Sequence, residues 1–344
     1  MAKRRRKTLR VLAIDGGGVR GIIPAMVLAD LEQRTGRPIA EQFDMVAGAS
    51  TGGIIALLLT VPGRDGRPRY SAREVVDIYA SHLTEMFSSS PAYQRRWAKR
   101  QDIPKFPATG VSRALKRYFG DARVRDTLTG VLVTSYDIRT REDVYFGRFT
   151  ATAPRVRDTP VQDLLLRDLA RATSAFPGLF PPVRVRFGRP PTTFDLIDGG
   201  VMSANPAAIA LAAMTRYQRG GREADILLVS LGTGDAARPI PFARARTWGF
   251  AQWAQPLVDV LFDASNHVVD SVLSGLEPAD DYYRFQVDIP AAVGGTDDVR
   301  PATIAALQAI ARAALAGRGS AWCGGRTWPA MLGAIARDLA GASA

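Results

Sequence analysis

The chain has 344 residues, of which 47 % are hydrophobic and 23 % charged, and it carries a formal net charge of +12. Its single cysteine excludes an intrachain disulfide framework and a multi-cysteine zinc site, and its two histidines argue against a histidine-rich metal site. No apolar run is long enough for a membrane-spanning helix, so we expect a soluble protein in a reducing, cytoplasmic compartment.

The first half of the chain alternates between strands and helices. Residues 1–8 form a basic block too short to fold, so we expect them to be disordered. The apolar run that follows is too short for a signal peptide. Apolar runs at 9–15 and 43–49 predict buried strands, and helical spacing at 22–36 and 51–60 predicts a helix after each. This order predicts an α/β fold with a mainly parallel central sheet flanked by helices.

Ser71 and Glu74 form a capping box for a helix that the pattern extends to Phe87. The next segment, 88–110, mixes aromatic, proline and basic residues without a clear period. Two interpretations of it stay open, a flap beside a site and a surface connection.

The remaining elements follow the same signals. Thr159 and Pro160 have the residue types of an N-cap and a first helical position, so a helix is expected over 159–182. Strands are expected at 130–138, 144–149, 224–234 and 282–289, and in "TFDLIDGG". Without a repeat or a linker, we expect one domain, a catalytic core over 9–234 with a mostly helical part, 235–344, packed on it.

One C-terminal helix, predicted over 250–276, allows two interpretations. It could be an amphipathic helix that faces a membrane, or a helix packed in the core. Its polar positions carry aspartate and neither lysine nor arginine, whereas an interfacial helix usually carries basic residues. We therefore expect core packing.

Gly48, Ser50 and Gly52 match the pattern G-x-S-x-G between a predicted strand and a predicted helix. In that context the serine lies on a sharp turn that exposes its hydroxyl, and the helix start offers backbone amides to a developing oxyanion. Ser50 is therefore a candidate nucleophile. Alternatively, it only caps the helix that follows.

Gly16, Gly18 and Gly21 fit G-x-G-x-x-G in the turn after the first strand. One interpretation is a dinucleotide site, which needs an acidic residue at the end of the second strand. That strand instead runs into "GASTG". The other interpretation is a loop of backbone donors for an oxyanion, with Arg20 adding positive charge.

A base for Ser50 has two candidates. The order Ser50, Asp198, His267 fits a hydrolase triad, although His267 lies inside a predicted helix. Asp198, at the end of a strand and before Gly199 and Gly200, could instead accept the proton directly if its environment tunes its pKa. An aspartate before glycine is also a common turn residue.

Together, "DGGGVRG", "GASTG" and "DGG", with "DLARATSAFPGLFPP", "NPAAIA" and "ILLVSLGTG", resemble the patatin-like phospholipase family over roughly residues 9–234. The resemblance implies a three-layer α/β sandwich and a serine–aspartate dyad without histidine. By position, Ser50 is the nucleophile and Asp198 the general base. The implied oxyanion loop comprises Gly16, Gly17, Gly18, Val19, Arg20 and Gly21, with Gly17 and Gly18 as its main donors.

The resemblance also implies a lipid acyl hydrolase, of phospholipase A or lysophospholipase type, that acts on phospholipid or another acyl lipid and needs neither metal nor other cofactor. The charge allows peripheral contact with an anionic membrane surface and gives no sign of a specific nucleic acid partner. Two other hypotheses stay open: a nucleotide-binding module that uses the glycine loop, and a non-catalytic scaffold for anionic polymers.

Overall fold

In the described part of the computed structural model, nine strands form one central β-sheet. The strands are β1 (Lys7–Ile14), β2 (Met45–Gly48), β3 (Gly130–Asp137), β4 (Glu142–Gly147), β5 (Val183–Phe187), β6 (Thr192–Asp198), β7 (Ala224–Leu231), β8 (Tyr282–Val287) and β9 (Ala321–Trp322). The helices are α1 (Ile22–Thr35), α2 (Ile39–Gln42), α3 (Thr51–Thr60), α4 (Ala72–Ser81), α5 (Leu83–Met86), α6 (Pro91–Arg100), α7 (Ala108–Phe119), α8 (Leu166–Thr173), α9 (Ala207–Arg219), α10 (Phe242–Ala245), α11 (Phe250–Leu276), α12 (Pro301–Leu315) and α13 (Trp328–Ala340). The structure describes residues 7–100, 102–147, 161–219, 224–236, 239–276, 281–318, 321–322 and 325–340.

The strand order is β5-β6-β3-β2-β1-β7-β8-β9, and β4 pairs with β3 outside this path. The five strands from β3 to β8 run parallel to one another, whereas β4 and β6 run antiparallel to β3, and β9 runs antiparallel to β8. Parallel strands covered on both faces need nearly continuous apolar sequence, which the central strands supply.

Helices cover both faces of the sheet, so the fold is a three-layer α/β sandwich. Alternate residues of β1 point to opposite faces. Leu12 and Ile14 join a large core with α1, α3, α12 and α13. Val11 and Ala13 join a smaller core with α9. The mainly parallel sheet flanked by helices, predicted from the sequence, is confirmed.

Strands β2 and β6 meet end to end along the same edge of β3. Strand β4 occupies one edge of β3 over Leu132–Asp137, so β2 and β6 must both pair with the opposite edge of β3. There β2 runs parallel and ends with Gly48 opposite Val133, while β6 runs antiparallel and ends with Asp198 opposite Ser135. The carboxyl ends of β2 and β6 therefore point at each other.

Most elements of the first half are found where the sequence predicts them. Helix α1 ends at Gly36, whose φ of 66° fits a glycine C-cap. Helix α3 coincides with the predicted 51–60, and the Ser71–Glu74 capping box is present at α4. These elements carry both a periodic pattern and an end signal, which explains the agreement.

Three predicted segments differ from the structure. The helix expected from Ser71 to Phe87 is two helices, α4 and α5, because the chain leaves regular helix at His82. Residues 7 and 8, expected to be disordered, begin β1 because they pair with β7. Segment 88–110, for which a flap and a surface connection both stay open, contains the exposed helix α6. The helix expected from Thr159 begins only at Leu166; Thr159 itself, like residues 1–6 of the basic segment, lies outside the described residues.

The prediction that helix 250–276 packs in the core is wrong. Helix α11 covers that range, but of its described side chains only Asp270 and Leu273 are buried. Phe250 is 91 % exposed and Val268 62 % exposed. Among the described helices, none has the length and apolar character needed to cross a membrane.

Candidate active site

Ser50 lies at a sharp turn between β2 and α3, with φ of 52° and ψ of −121°. A positive φ is uncommon for a residue with a side chain and is maintained only where the surroundings impose it. A Cβ on Gly48 would collide with the backbone of Gly52, and a Cβ on Gly52 would collide with the carbonyl of Ile14. The two glycines therefore let the turn close against β1, while the Ser50 side chain stays partly exposed.

The structure brings Asp198 into direct contact with Ser50. The Ser50 Oγ donates a hydrogen bond of 2.6 Å to Asp198 Oδ2. The other carboxylate oxygen, Oδ1, accepts the backbone N–H of Gly200 at 2.7 Å, and the Asp198 amide donates to the Ala175 carbonyl at 3.1 Å. The end-to-end arrangement of β2 and β6 thus joins two residues that are 148 positions apart in the sequence.

Burial controls the protonation of Asp198, whose side chain is fully buried. It raises the pKa of Asp198 to about 7, while the hydrogen bonds from Ser50 and Gly200 and the positive charge of Arg171 act in the opposite direction. A carboxyl group with this pKa exchanges its proton near neutral pH. That is the condition under which a carboxylate can take and return the proton of a hydroxyl group.

Arg171 and Thr173, both on α8, are site residues that the motif analysis missed. Burial lowers the pKa of the Arg171 guanidinium to about 10, and Asp198 acts in the opposite direction, so Arg171 remains a cation near Asp198. The Ser50 amide donates to Thr173 Oγ1 at 2.8 Å, which holds the turn. Their only sequence signal was their position in "DLARATSAFPGLFPP".

The glycine loop lies against Ser50. A Cβ on Gly16 would be only 3.3 Å from the Ser50 Cβ. A side chain on Gly17 would collide with Thr233, and one on Gly18, whose φ is 58°, would collide with the Thr296 carbonyl. The loop therefore needs glycine in order to pass between these neighbours.

The amides of this loop fall into two groups. Three of them donate to backbone carbonyls: Gly16 to Ala204 (2.8 Å), Val19 to Thr296 (2.8 Å) and Arg20 to Gly17 (3.1 Å). By contrast, the amides of Gly17, Gly18 and Thr51 have no acceptor within the part of the chain that the structure describes. Gly21 closes the short turn, where a side chain would collide with Thr51. Unengaged amides are therefore found in the loop at Gly17 and Gly18, and at the start of α3.

His267 is not placed between Ser50 and Asp198. Its Nε2 lies 3.1 Å from Asp235 Oδ2, and its side chain is 60 % exposed. Arg20 lies near Asp263 on α11, where its positive charge opposes the rise that burial causes in the pKa of Asp263. The geometry thus pairs Ser50 directly with a carboxylate.

Behind the glycine loop, a buried arginine joins four elements. Arg284 on β8 is 7 % exposed and donates three hydrogen bonds: to Asp15 Oδ2 (2.7 Å), Asp270 Oδ2 (3.0 Å) and Ser230 Oγ (2.9 Å). Asp15 directly precedes the glycine loop, and Asp270 belongs to α11. The network therefore links the loop to the C-terminal part of the chain.

A family model described as patatin-like phospholipase matches residues 12–211. The chain belongs to the patatin-like phospholipase family. The matched residues include the glycine loop, the Ser50 turn and Asp198. The patatin-like fold thus accounts for the sheet from β1 to β6, and Arg284 and Asp270 extend its site from residues beyond the match.

Curated relatives cover most of this patatin-like chain. Patatin-like protein 4 of Arabidopsis thaliana is 31 % identical over 310 residues, which cover 81 % of this chain and 76 % of the relative. Patatin-17 of Solanum cardiophyllum is 30 % identical over 327 residues, with 87 % and 81 % covered. The solved structure of VipD from Legionella pneumophila covers 90 % of the chain at 13 % identity and a TM-score of 0.35, a likeness too low to bear on the site.

Proposed function

We propose that the chain is a lipid acyl hydrolase, of phospholipase A or lysophospholipase type, that works through Ser50 and Asp198. The observation that carries the proposal is the 2.6 Å hydrogen bond from the Ser50 hydroxyl to the Asp198 carboxylate. Membership of the patatin-like phospholipase family supports the substrate class. The position of His267, bonded to Asp235, favours the dyad over a triad.

In the first half of the reaction, Asp198 takes the proton of the Ser50 hydroxyl as its oxygen attacks the acyl carbonyl carbon. The carbonyl oxygen becomes an oxyanion, for which the unengaged amides of Gly17, Gly18 and Thr51 are the candidate donors. When the intermediate collapses, the ester oxygen leaves and receives the proton from Asp198. An acyl group on Ser50 and a free alcohol, such as a lysophospholipid, result.

In the second half, Asp198 takes a proton from water while the water oxygen attacks the acyl carbon. Collapse of this second intermediate breaks the bond to Ser50 Oγ, which regains its proton from Asp198, and a fatty acid is released. Every proton and electron pair that moves in these steps is transferred among Ser50, Asp198, the substrate and water. The proposed reaction therefore uses no cofactor.

The proposal is tested by the products released from a mixed lipid extract, measured by mass spectrometry. Ser50→Ala and Asp198→Asn are each expected to reduce fatty-acid release by at least about a thousandfold, since each removes a member of the dyad. His267→Ala is the matched control and should retain release. If Asp198→Asn kept its activity while His267→Ala lost it, the triad would replace the dyad.

A further inference from the structure

Helix α11 turns an apolar face to solvent. Five of its exposed residues, spaced seven, four, seven and four apart, fall on one side of the helix: Phe250, Leu257, Leu261, Val268 and Val272. We call them the apolar stripe. Leu257, the least exposed of the five, is still 44 % exposed. With a rise of about 1.5 Å per residue, the apolar stripe is roughly 33 Å long.

The opposite side of α11 fixes this orientation. Asp270 accepts hydrogen bonds from Asn205 at 3.0 Å and from Arg284, all three being buried. Leu273 is buried beside them in the smaller core. Rotating the apolar stripe inward would break these bonds and leave Arg284 without one of its carboxylates. The stripe is therefore an outer surface of the folded chain.

The apolar stripe lies close to Ser50 and Asp198. On the inner side of α11, the Phe262 ring lies 5.5 Å from the ring of Phe176, between centroids. The same ring occupies the space that a side chain on Gly200 would need, and the Gly200 amide binds Asp198. Because a helix with its side chains is about 10–12 Å across, the stripe and Asp198 are separated by at least one helix diameter.

Two segments near this region expose positive charge. Helix α6 has no acidic residue and exposes Arg95, Arg96 and Lys99. Its chain continues to Lys105, whose amide donates to the Gly178 carbonyl in the segment that follows Phe176.

The second segment directly precedes α11, where Arg244 and Arg246 are exposed between Phe242 and Phe250. An interfacial helix normally combines basic and apolar residues in one element. Here α11 supplies the apolar residues, and its neighbours supply the cations.

We propose that the apolar stripe, with the cations of α6 and Arg244 and Arg246, docks the chain on the surface of an anionic lipid bilayer. This inference rests on the proposed function, because it brings the bilayer that would supply an acyl lipid to the helix whose Phe262 ring packs beside Gly200. A second copy of the chain is the alternative occupant of the stripe, and the test below separates it from a bilayer. Anionic headgroups match those cations, and acyl chains match the stripe.

The docking test measures flotation of the protein with vesicles. Ser50→Ala protein is used so that the lipid stays intact, with vesicles of phosphatidylglycerol and phosphatidylcholine or of phosphatidylcholine alone. We expect binding to the anionic vesicles that weakens with added salt. Adding Leu261→Glu and Val268→Glu should reduce it by about tenfold or more, because two charges replace apolar contacts. Ser274→Glu, exposed on the same helix away from the stripe, is the matched control and should bind as before.

A second arm separates docking from catalysis. In the active chain, the Leu261→Glu, Val268→Glu pair should slow hydrolysis of anionic vesicles about as much as binding falls, yet leave hydrolysis of a soluble short-chain ester unchanged. Unaltered vesicle binding by this variant would overturn the docking surface. The docking surface would also be overturned if the native chain were a dimer that this variant dissociates while vesicle binding persists. If no ester is hydrolysed although vesicles bind, the proposed function fails and the docking surface remains.

Discussion

Asp198 shows how the position of one carboxyl group changes its chemistry. In water, the pKa of an aspartate lies far below neutral pH, so its carboxylate is a weak base. Burial raises the pKa of Asp198 to about 7, and the hydrogen bonds from Ser50 and Gly200, together with the Arg171 cation, limit the rise. Because proton transfer is most effective when the pKa of the base is near the working pH, this balance adjusts Asp198 to neutral conditions.

This balance predicts the pH dependence of the proposed reaction. The base must be ionised, so kcat/KM for a soluble ester should rise with pH and reach half of its maximum near pH 7. Arg171→Met removes a charge that lowers the pKa of Asp198. Its profile should therefore move to higher pH.

Two matched variants make that measurement specific. Arg171→Lys keeps the positive charge and should retain the native profile. Arg184→Met removes an exposed arginine paired with Asp195 and should leave the profile unchanged. A profile for Arg171→Met that coincides with the native one would show that this charge does not act on Asp198.

At the same scale, the sequence predicted Ser50, Asp198 and the glycine loop as candidates, because each lies in a turn with a recognisable spacing. Arg171 and Thr173 could not be predicted in this way. Thr173 reaches the Ser50 amide across 123 positions, and such a contact depends on how α8 packs, which no local pattern specifies. The family resemblance did indicate Gly17 and Gly18, and in the structure their amides have no acceptor among the described residues.

Among the elements, the turn from β2 to α3 depends on close packing against β1. The backbone of α3 passes so near to the end of β1 that position 52 has no room for a side chain. This packing sets the unusual backbone angles of Ser50. Its integrity can therefore be measured independently of activity.

Gly52→Ala is expected to lower the free energy of unfolding by about 1–3 kcal/mol, since the new methyl group collides with the Ile14 carbonyl. Gly275→Ala is the control, because no atom lies within 4 Å of a Cβ at that position of α11. Alanine there should have no effect or stabilise slightly. Denaturant unfolding measures both; equal stabilities of the two variants would refute the steric argument.

Sequence patterns predicted those elements that have both periodicity and an end signal, such as α1, α3 and α4. They failed for α11, because periodicity identifies an apolar face without saying what covers it. The absence of lysine and arginine suggested core packing, yet the polar side of α11 binds Arg284 and Asn205 and turns the apolar side outward. The start of α8 was also placed too early, since the described chain forms a short 3-10 helix at Val161–Asp163 before α8 begins at Leu166.

For the whole molecule, the sheet and the Arg284 network make the C-terminal part continuous with the catalytic part. Strand β8 pairs with β7, which pairs with β1, so residues before and after position 234 share one sheet. Arg284 adds buried bonds from β8 to the residue before the glycine loop. The assignment of 235–344 to the same domain remains a prediction, and cooperative unfolding tests it.

Calorimetry should give a single unfolding transition for the full chain. Arg284→Met should lower the free energy of unfolding by about 3–5 kcal/mol, because Asp15 and Asp270 would be left buried without their cation. Arg300→Met, which breaks an ion pair whose arginine is exposed, should lower the free energy of unfolding far less than Arg284→Met. Two separate transitions, of which Arg284→Met shifts only one, would contradict a single domain.

The end-to-end meeting of β2 and β6 makes β3 a spacer of fixed length. The pairing residues Val133 and Ser135 are two positions apart, which at about 3.3 Å per residue sets a gap of roughly 7 Å. Loops elsewhere between Ser50 and Asp198 can change length without altering that gap. One residue inserted after Val133 would widen this gap and separate the Ser50 hydroxyl from the Asp198 carboxylate. The distance between these two groups is therefore set by β3, a strand that contributes no side chain to the proposed reaction.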